Sequence, residues 1–174
     1  MSPRKLSYYG EEVLRRRSEP VDPSDLATPE LRQLVEEMYE TCEAEEGAGL
    51  AAPQIGIGKR LFVVDCQEFP EDPDDPHRRF AIVNPELVQH EGRIDSEEGC
   101  LSIPGVRLVV KRARRVTIRG LDVEGQPLEV AADGLVSRCI QHELDHLDGI
   151  LIIDRVSSLK RQLLRRQLEE IAAS

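Results

Sequence analysis

The sequence contains no apolar run approaching the roughly 18 residues that a membrane-spanning helix needs, although hydrophobic residues make up 40% of its 174 positions. A soluble protein is expected. The first segment, MSPRKLSYYGEEVLRRRSEP, has basic residues but neither an apolar core nor a small-residue cleavage site. That argues against secretion and predicts a cytoplasmic location. The four cysteines, Cys42, Cys66, Cys100 and Cys139, include no CxxC pair. In a cytoplasmic chain they are expected as thiols or ligands rather than disulfides, and a zinc knuckle has no support. Net positive charge is also missing: the formal charge is −10, which argues against a nucleic-acid surface. The two basic clusters, Lys111–Arg115 and Lys160–Arg166, read as solvated faces. No internal repeat and no Ser/Gly linker divides the chain, so one domain over residues 1–174 is expected, long enough to bury its own core.

What is present reads as strands flanked by helices. RLFVVDC, FAIVNP, VRLVV, RRVTIRGLDV and LEVAA are rich in β-branched residues and carry turn signals between them, which suggests antiparallel strands. The Pro- and acid-rich stretch Glu68–Arg79 reads as an exposed loop between two of them. Thr28 before Pro29 starts a helix whose apolar stripe, Leu31, Leu34, Val35, Met38 and Cys42, runs up to Gly47. A second stripe near the end, Leu159, Leu163, Leu164, Leu168 and Ile171, is read as core contact. The expected class is α+β, with antiparallel sheets around a central helix and helices near both ends.

That central helix is capped by Asp133 and runs to Gly149. It contains QHELDHLDG, with His142 and His146 four residues apart. Placed at 100° per residue, Leu135, Cys139 and His146 fall within about 60° of His142, while Val136, Ile140, Leu144 and Leu147 form an apolar sector. Ser137, Arg138, Gln141, Asp145 and Asp148 take the remaining, polar side. Glu143 falls on the border of the apolar face, where a carboxylate without a partner costs several kcal/mol.

Histidines at i and i+4 can hold one ion, and a glutamate beside the first can move a proton of water there. Two helix histidines paired with nearby carboxylates would give the same pattern without a metal. A catalytic site needs a third ligand. The segment after Gly149 has no histidine, and Glu169 and Glu170 sit at the end of the last helix, so the ligand is sought upstream. SEEGCLSIPGV, Ser96–Val106, offers Cys100. Its thiolate would complete a set suited to Zn²⁺, Fe²⁺, Co²⁺ or Ni²⁺, whereas a lone cysteine is otherwise an apolar filler. GAGLAAPQIG, Gly47–Gly56, is a turn of small residues that admits close backbone approach and ends near the amide of Gln54.

Together, GAGLAAPQ, EGCLS and QHELDH, in this order, resemble the three signature motifs of the peptide deformylase family, each intact here. The resemblance covers nearly the whole chain. It implies that Cys100, His142 and His146 are metal ligands and Glu143 the general acid/base. It implies that the Gln54 amide and the backbone N–H of Leu101 stabilise an oxyanion. Ala48, Gly49, Glu98 and Gly99 would line the bound peptide, with Leu101, Leu135, Cys139 and His142 walling the methionine pocket. Arg138 stands where many relatives carry an aliphatic residue. The expected cofactor is one divalent ion, Fe²⁺ in the cell with Zn²⁺, Ni²⁺ or Co²⁺ possible after purification. The expected substrates are N-formylmethionyl peptides, nascent chains near the ribosome. A formyl carbon bears only hydrogen, so a site walled by Gly, Ala and Cys admits it and excludes bulkier acyl groups. Two rivals are weighed against this. A metallopeptidase is disfavoured by the upstream cysteine, and a structural zinc domain would need a fourth ligand that neither His77 nor His90 supplies in a ligand-like pattern.

Overall fold

The residues LFVVD alternate between two cores: Leu61 and Val63 enter one, Phe62 and Val64 the other, all four fully buried. A strand covered on both faces produces such a run, because successive side chains point to opposite sides. In the computed structural model, which describes residues 3–174, this strand is β2 (Leu61–Asp65). The first two positions of the expected domain lie outside the described residues. An antiparallel sheet runs in the order β1 (Gly49–Ala51), β2, β3 (Arg79–Glu91), β6 (Arg115–Leu121) and β7 (Pro127–Asp133). A separate hairpin pairs β4 (Ile94–Cys100) with β5 (Ile103–Arg112). β1 is thus an edge of one sheet, and β4 has a single partner in the other.

Helix α1 (Pro29–Ala44) covers one face of the large sheet, packing Leu31, Val35, Met38 and Cys42 against Leu50, Leu61, Val63 and Val83. Thr28 starts it as expected, its Oγ1 accepting from the Leu31 N–H at 3.2 Å. Helix α2 (Gly134–Leu147) covers the other face through Val136, Ile140 and Leu147. The fold is therefore α+β, and the histidine helix is central to it. No helix among the described residues is long and apolar enough to cross a membrane.

The structure corrects several expectations. The strand read as ending at Pro85 continues to Glu91; it bends where Asn84 takes a φ of 51° and the register shifts between Val83 and Glu86. Ser96–Gly105, given no element from sequence, supplies most of β4 and the start of β5, the strand read as VRLVV. The C-terminal stripe belongs to two short helices, α3 (Ser158–Leu163) and α4 (Arg165–Ala173). Leu168 is buried against Ile103, Leu108 and Leu151–Ile153, but Leu159 and Leu163 are exposed. Most notably for the site, Arg112 in the supposedly solvated cluster is buried.

Candidate active site

Helix α2 stops at Leu147, and Gly149 turns the chain with a φ of 74°. A Cβ there would lie 2.5 Å from the Arg15 carbonyl oxygen, so both conformation and space require glycine. The helical spacing then sets His142 and His146 on one stripe with ring centroids 5.0 Å apart. Strand β4 brings Cys100 to the same place. Ligand atoms of Cys100, His142 and His146 lie within 4.8 Å of one another, and no fourth such ligand joins them among the described residues.

The surroundings orient these groups. His142 Nδ1 faces Glu98 Oε1 at 2.9 Å, which leaves Nε2 for an ion. Glu98 is held in turn by Arg112, whose Nε and Nη2 donate to its two oxygens at 2.9 and 2.8 Å. Arg112 Nη1 donates to Asp145 at 2.7 Å, and Arg155 takes the same carboxylate. Burial opposes charge on Glu98, but Arg112 and His142 outweigh it and hold the carboxyl down at about 2. His146 is kept neutral by burial and by the positive charge of its neighbours, its pKa far below the ordinary value. Neutral imidazole is the form a metal requires.

Glu143 is buried, and its Oε1 has no hydrogen-bond partner among the described residues. Burial pushes its carboxyl up to about 7 against the pull of His142. A buried carboxyl of that pKa beside two nitrogens and a sulfur fits a divalent cation and a proton-transfer role. Gln54 is also buried; its Oε1 accepts from the Ala51 N–H, while Nε2 points at Cys100 Sγ, 3.8 Å away, and Ser102 Oγ, 3.3 Å away.

A groove of about 550 Å³ opens over these residues, between the Glu46–Gly49 segment and β4. It brings together Ala48, Gly49, Gln54, Glu98, Gly99, Cys100, Leu101, Leu135, Cys139, His142 and Glu143; His146 is buried behind them. Gly49 admits nothing larger, since a Cβ would meet Cys139 Sγ at 2.7 Å and Glu143 Oε2 at 3.1 Å. Glu98 lines this groove while its carboxylate pairs with Arg112 and His142. Cys42, Cys66 and Cys139 are buried outside the ligand group. Sequence reasoning missed Arg112, Ser102 and the groove residue Phe69. Of these only Arg112 had a readable signal, because it falls on the inward phase of the β5 alternation. It also left Arg138 on the polar side of α2, whereas its side chain lines the groove.

A Cys-His-His group on an H-E-x-x-H helix, with a buried carboxyl beside it and an open groove before it, defines a metal-dependent hydrolase. Residues 3–162 match the family model for polypeptide deformylase. A peptide deformylase of Acidobacterium capsulatum is 45% identical over 168 residues, covering 97% of this chain and 95% of that protein. The crystal structure of a peptide deformylase from Legionella pneumophila superposes with a TM-score of 0.85 at 40% identity, covering 97% of this chain and 94% of the other. A Met-Ala-Ser-bound class I type b peptide deformylase from Acinetobacter baumannii has a TM-score of 0.83 at 36% identity, covering 88% of this chain and 98% of the other. The chain belongs to the peptide deformylase family.

Proposed function

We propose that the chain removes the N-formyl group from formylmethionine at the start of newly made polypeptides, releasing formate, and that Cys100, His142, His146, Glu143, Gln54 and Leu101 carry the reaction. The observation that carries this reading is the position of the ligand group: it lies at the floor of a groove between two strand edges, β1 and β4. An extended peptide can add to such edges through its backbone, with Gly49 and Gly99 leaving room for its approach. Leu135 and Cys139 then face the first side chain, an apolar wall suited to methionine.

When bound, a divalent ion supplies Lewis acidity and brings water to reactivity near neutral pH. Cys100, His142 and His146 would hold it. Glu143 accepts the proton of the attacking water and delivers it to the leaving amine. Gln54 Nε2 and the Leu101 N–H donate to the oxygen that gains negative charge. Ala48 and Gly49 carry little or no side chain, which suits a site that takes a formyl group and refuses bulkier acyl groups. We assign Fe²⁺ as the ion in the cell; Zn²⁺, Ni²⁺ or Co²⁺ would fit the same donors after purification. Nascent chains near the ribosome in the cytoplasm are the proposed setting.

Glu143→Gln tests the reading directly. An amide fills the same space, so metal content should stay near one ion per chain, while kcat/KM for a formyl-Met peptide falls by about 10²–10⁴-fold. Metal analysis and formate release on the same sample check both halves. A metal-loaded variant working at the parental rate would remove Glu143 from the reaction.

A further inference from the structure

Among the described residues, every arginine except Arg78, Arg93 and Arg138 has a carboxylate oxygen within 4.0 Å. Arg78 spends its Nη2 on the carbonyls of Cys66, Gln67 and Phe69. Arg93 is exposed in the turn between β3 and β4. Arg138 alone of the three lines the peptide groove. Among the described residues its side chain makes one hydrogen bond, from Nε to the Gly134 carbonyl of its own helix at 3.4 Å, which leaves both terminal nitrogens of the guanidinium uncommitted. The other arginine of the groove, Arg107, is already paired with Glu97.

We infer that Arg138 is a specificity-determining residue that favours an acidic side chain at the third residue of the formylated peptide. The inference rests on the proposed function, and in particular on an extended peptide lying between β1 and β4. Side chains of an extended chain alternate, so residues one and three share a face and residue two points the other way. Residue one faces the α2 wall at Leu135 and Cys139. Arg138 stands on that same wall, four positions before His142 and therefore on its stripe. Its methylene stem can extend the apolar pocket while the guanidinium stays at the rim, because a long cationic side chain buries its stem and keeps its head in water. The rim is where the third side chain passes. A glutamate there gains a partner that the protein leaves free; a lysine there meets a like charge.

The test uses the metal-loaded enzyme and three peptide amides, N-formyl-Met-Ala-X with X as Glu, Gln or Lys, so that the only added charge is the side chain's. At low ionic strength kcat/KM should fall in the order Glu, Gln, Lys, with Glu over Lys by about 5- to 20-fold, the size expected of a partly exposed charge pair against a like-charge contact. Salt at about 0.5 M should shrink that ratio. Arg138→Met should bring it close to one, and Arg138→Lys should keep most of it. The Gln peptide is the internal reference, so a general loss of activity or folding cancels from the ratio. Binding of the unformylated Met-Ala-X amides, measured alongside, gives the same order without turnover. Failure to turn over any formyl peptide would reject the functional reading, and the binding order would still decide Arg138. Equal values for Glu and Lys in both measurements, or an order that survives in Arg138→Met, would overturn the inference.

Discussion

Gln54 and Glu143 are both buried beside the Cys100 sulfur and the histidine pair, yet they face different tasks. The Gln54 side chain is anchored at one end, where Oε1 accepts from the Ala51 N–H. That contact fixes the amide so that Nε2 is presented toward Cys100. A donor held in advance costs no rearrangement as charge develops, which is why removing one from an oxyanion site lowers kcat by about 10²–10³-fold. Gln54→Leu is expected to show that loss with metal content unchanged, measured by steady-state kinetics beside metal analysis. An unchanged kcat would reduce Gln54 to a structural brace for β1. At this scale the sequence was informative where chemistry is local. Two histidines and a glutamate within five positions specify one helix face whatever surrounds it. The burial of Glu143 also followed from its angle on the wheel. The surroundings of Gln54 Nε2 did not follow, because Cys100 and Ser102 reach it from a hairpin distant in sequence.

Besides the His142–Glu98 contact, a buried guanidinium joins helix α2 to the β4–β5 hairpin. Arg112 is 3% exposed at its side chain and joins Glu98, behind His142, to Asp145, beside His146. Arg112→Met should therefore do two things. It leaves Glu98 buried without its cation, a loss of about 3–5 kcal/mol by analogy with broken buried pairs, read by urea unfolding. It also frees the His142 ring from its fixed support, which typically weakens metal binding about 10–100-fold, read by competition with a chromophoric chelator. The sign of the pH effect follows from Glu98. Its folded-state carboxyl is held down at about 2 against an ordinary 4.5, so the pair contributes fully above about 4.5 and is lost as pH falls toward 2. The acid-unfolding midpoint should rise in the variant. β5 explains why this element was hidden. Its apolar phase, Val106, Leu108 and Val110, continues onto Arg112, while charge alone places an arginine outside. β4 was hidden for a different reason: IDSEEGC has no apolar alternation, and pairing with β5 makes it a strand. Likewise, Leu159 and Leu163 keep helical spacing, but the chain turns at Leu164 between α3 and α4, and only the second helix lays Leu168 on the core.

The ligand group draws Cys100 from one sheet and both histidines from the helix packed on the other, so a bound ion ties the two parts of the molecule together. Stripping it with a chelator should abolish deformylation and lower Tm. An ion present at 100 times its Kd contributes about 2.7 kcal/mol to the folded state. Anaerobic Fe²⁺, or Ni²⁺ or Co²⁺, should restore both, followed by formate release and differential scanning calorimetry; activity that persists in metal-free protein would contradict the assignment. The same two-part construction leaves the edges of β1 and β4 on either side of the groove. A chain enters such a slot only if several consecutive backbone N–H and C=O groups are free to pair. An N-terminus already wound into a helix, or stitched into its own sheet, has spent those groups and is refused however well its methionine would fit. Under this reading the groove distinguishes young polypeptides from finished ones by their conformation, and the window for deformylation closes when the substrate's first few residues fold.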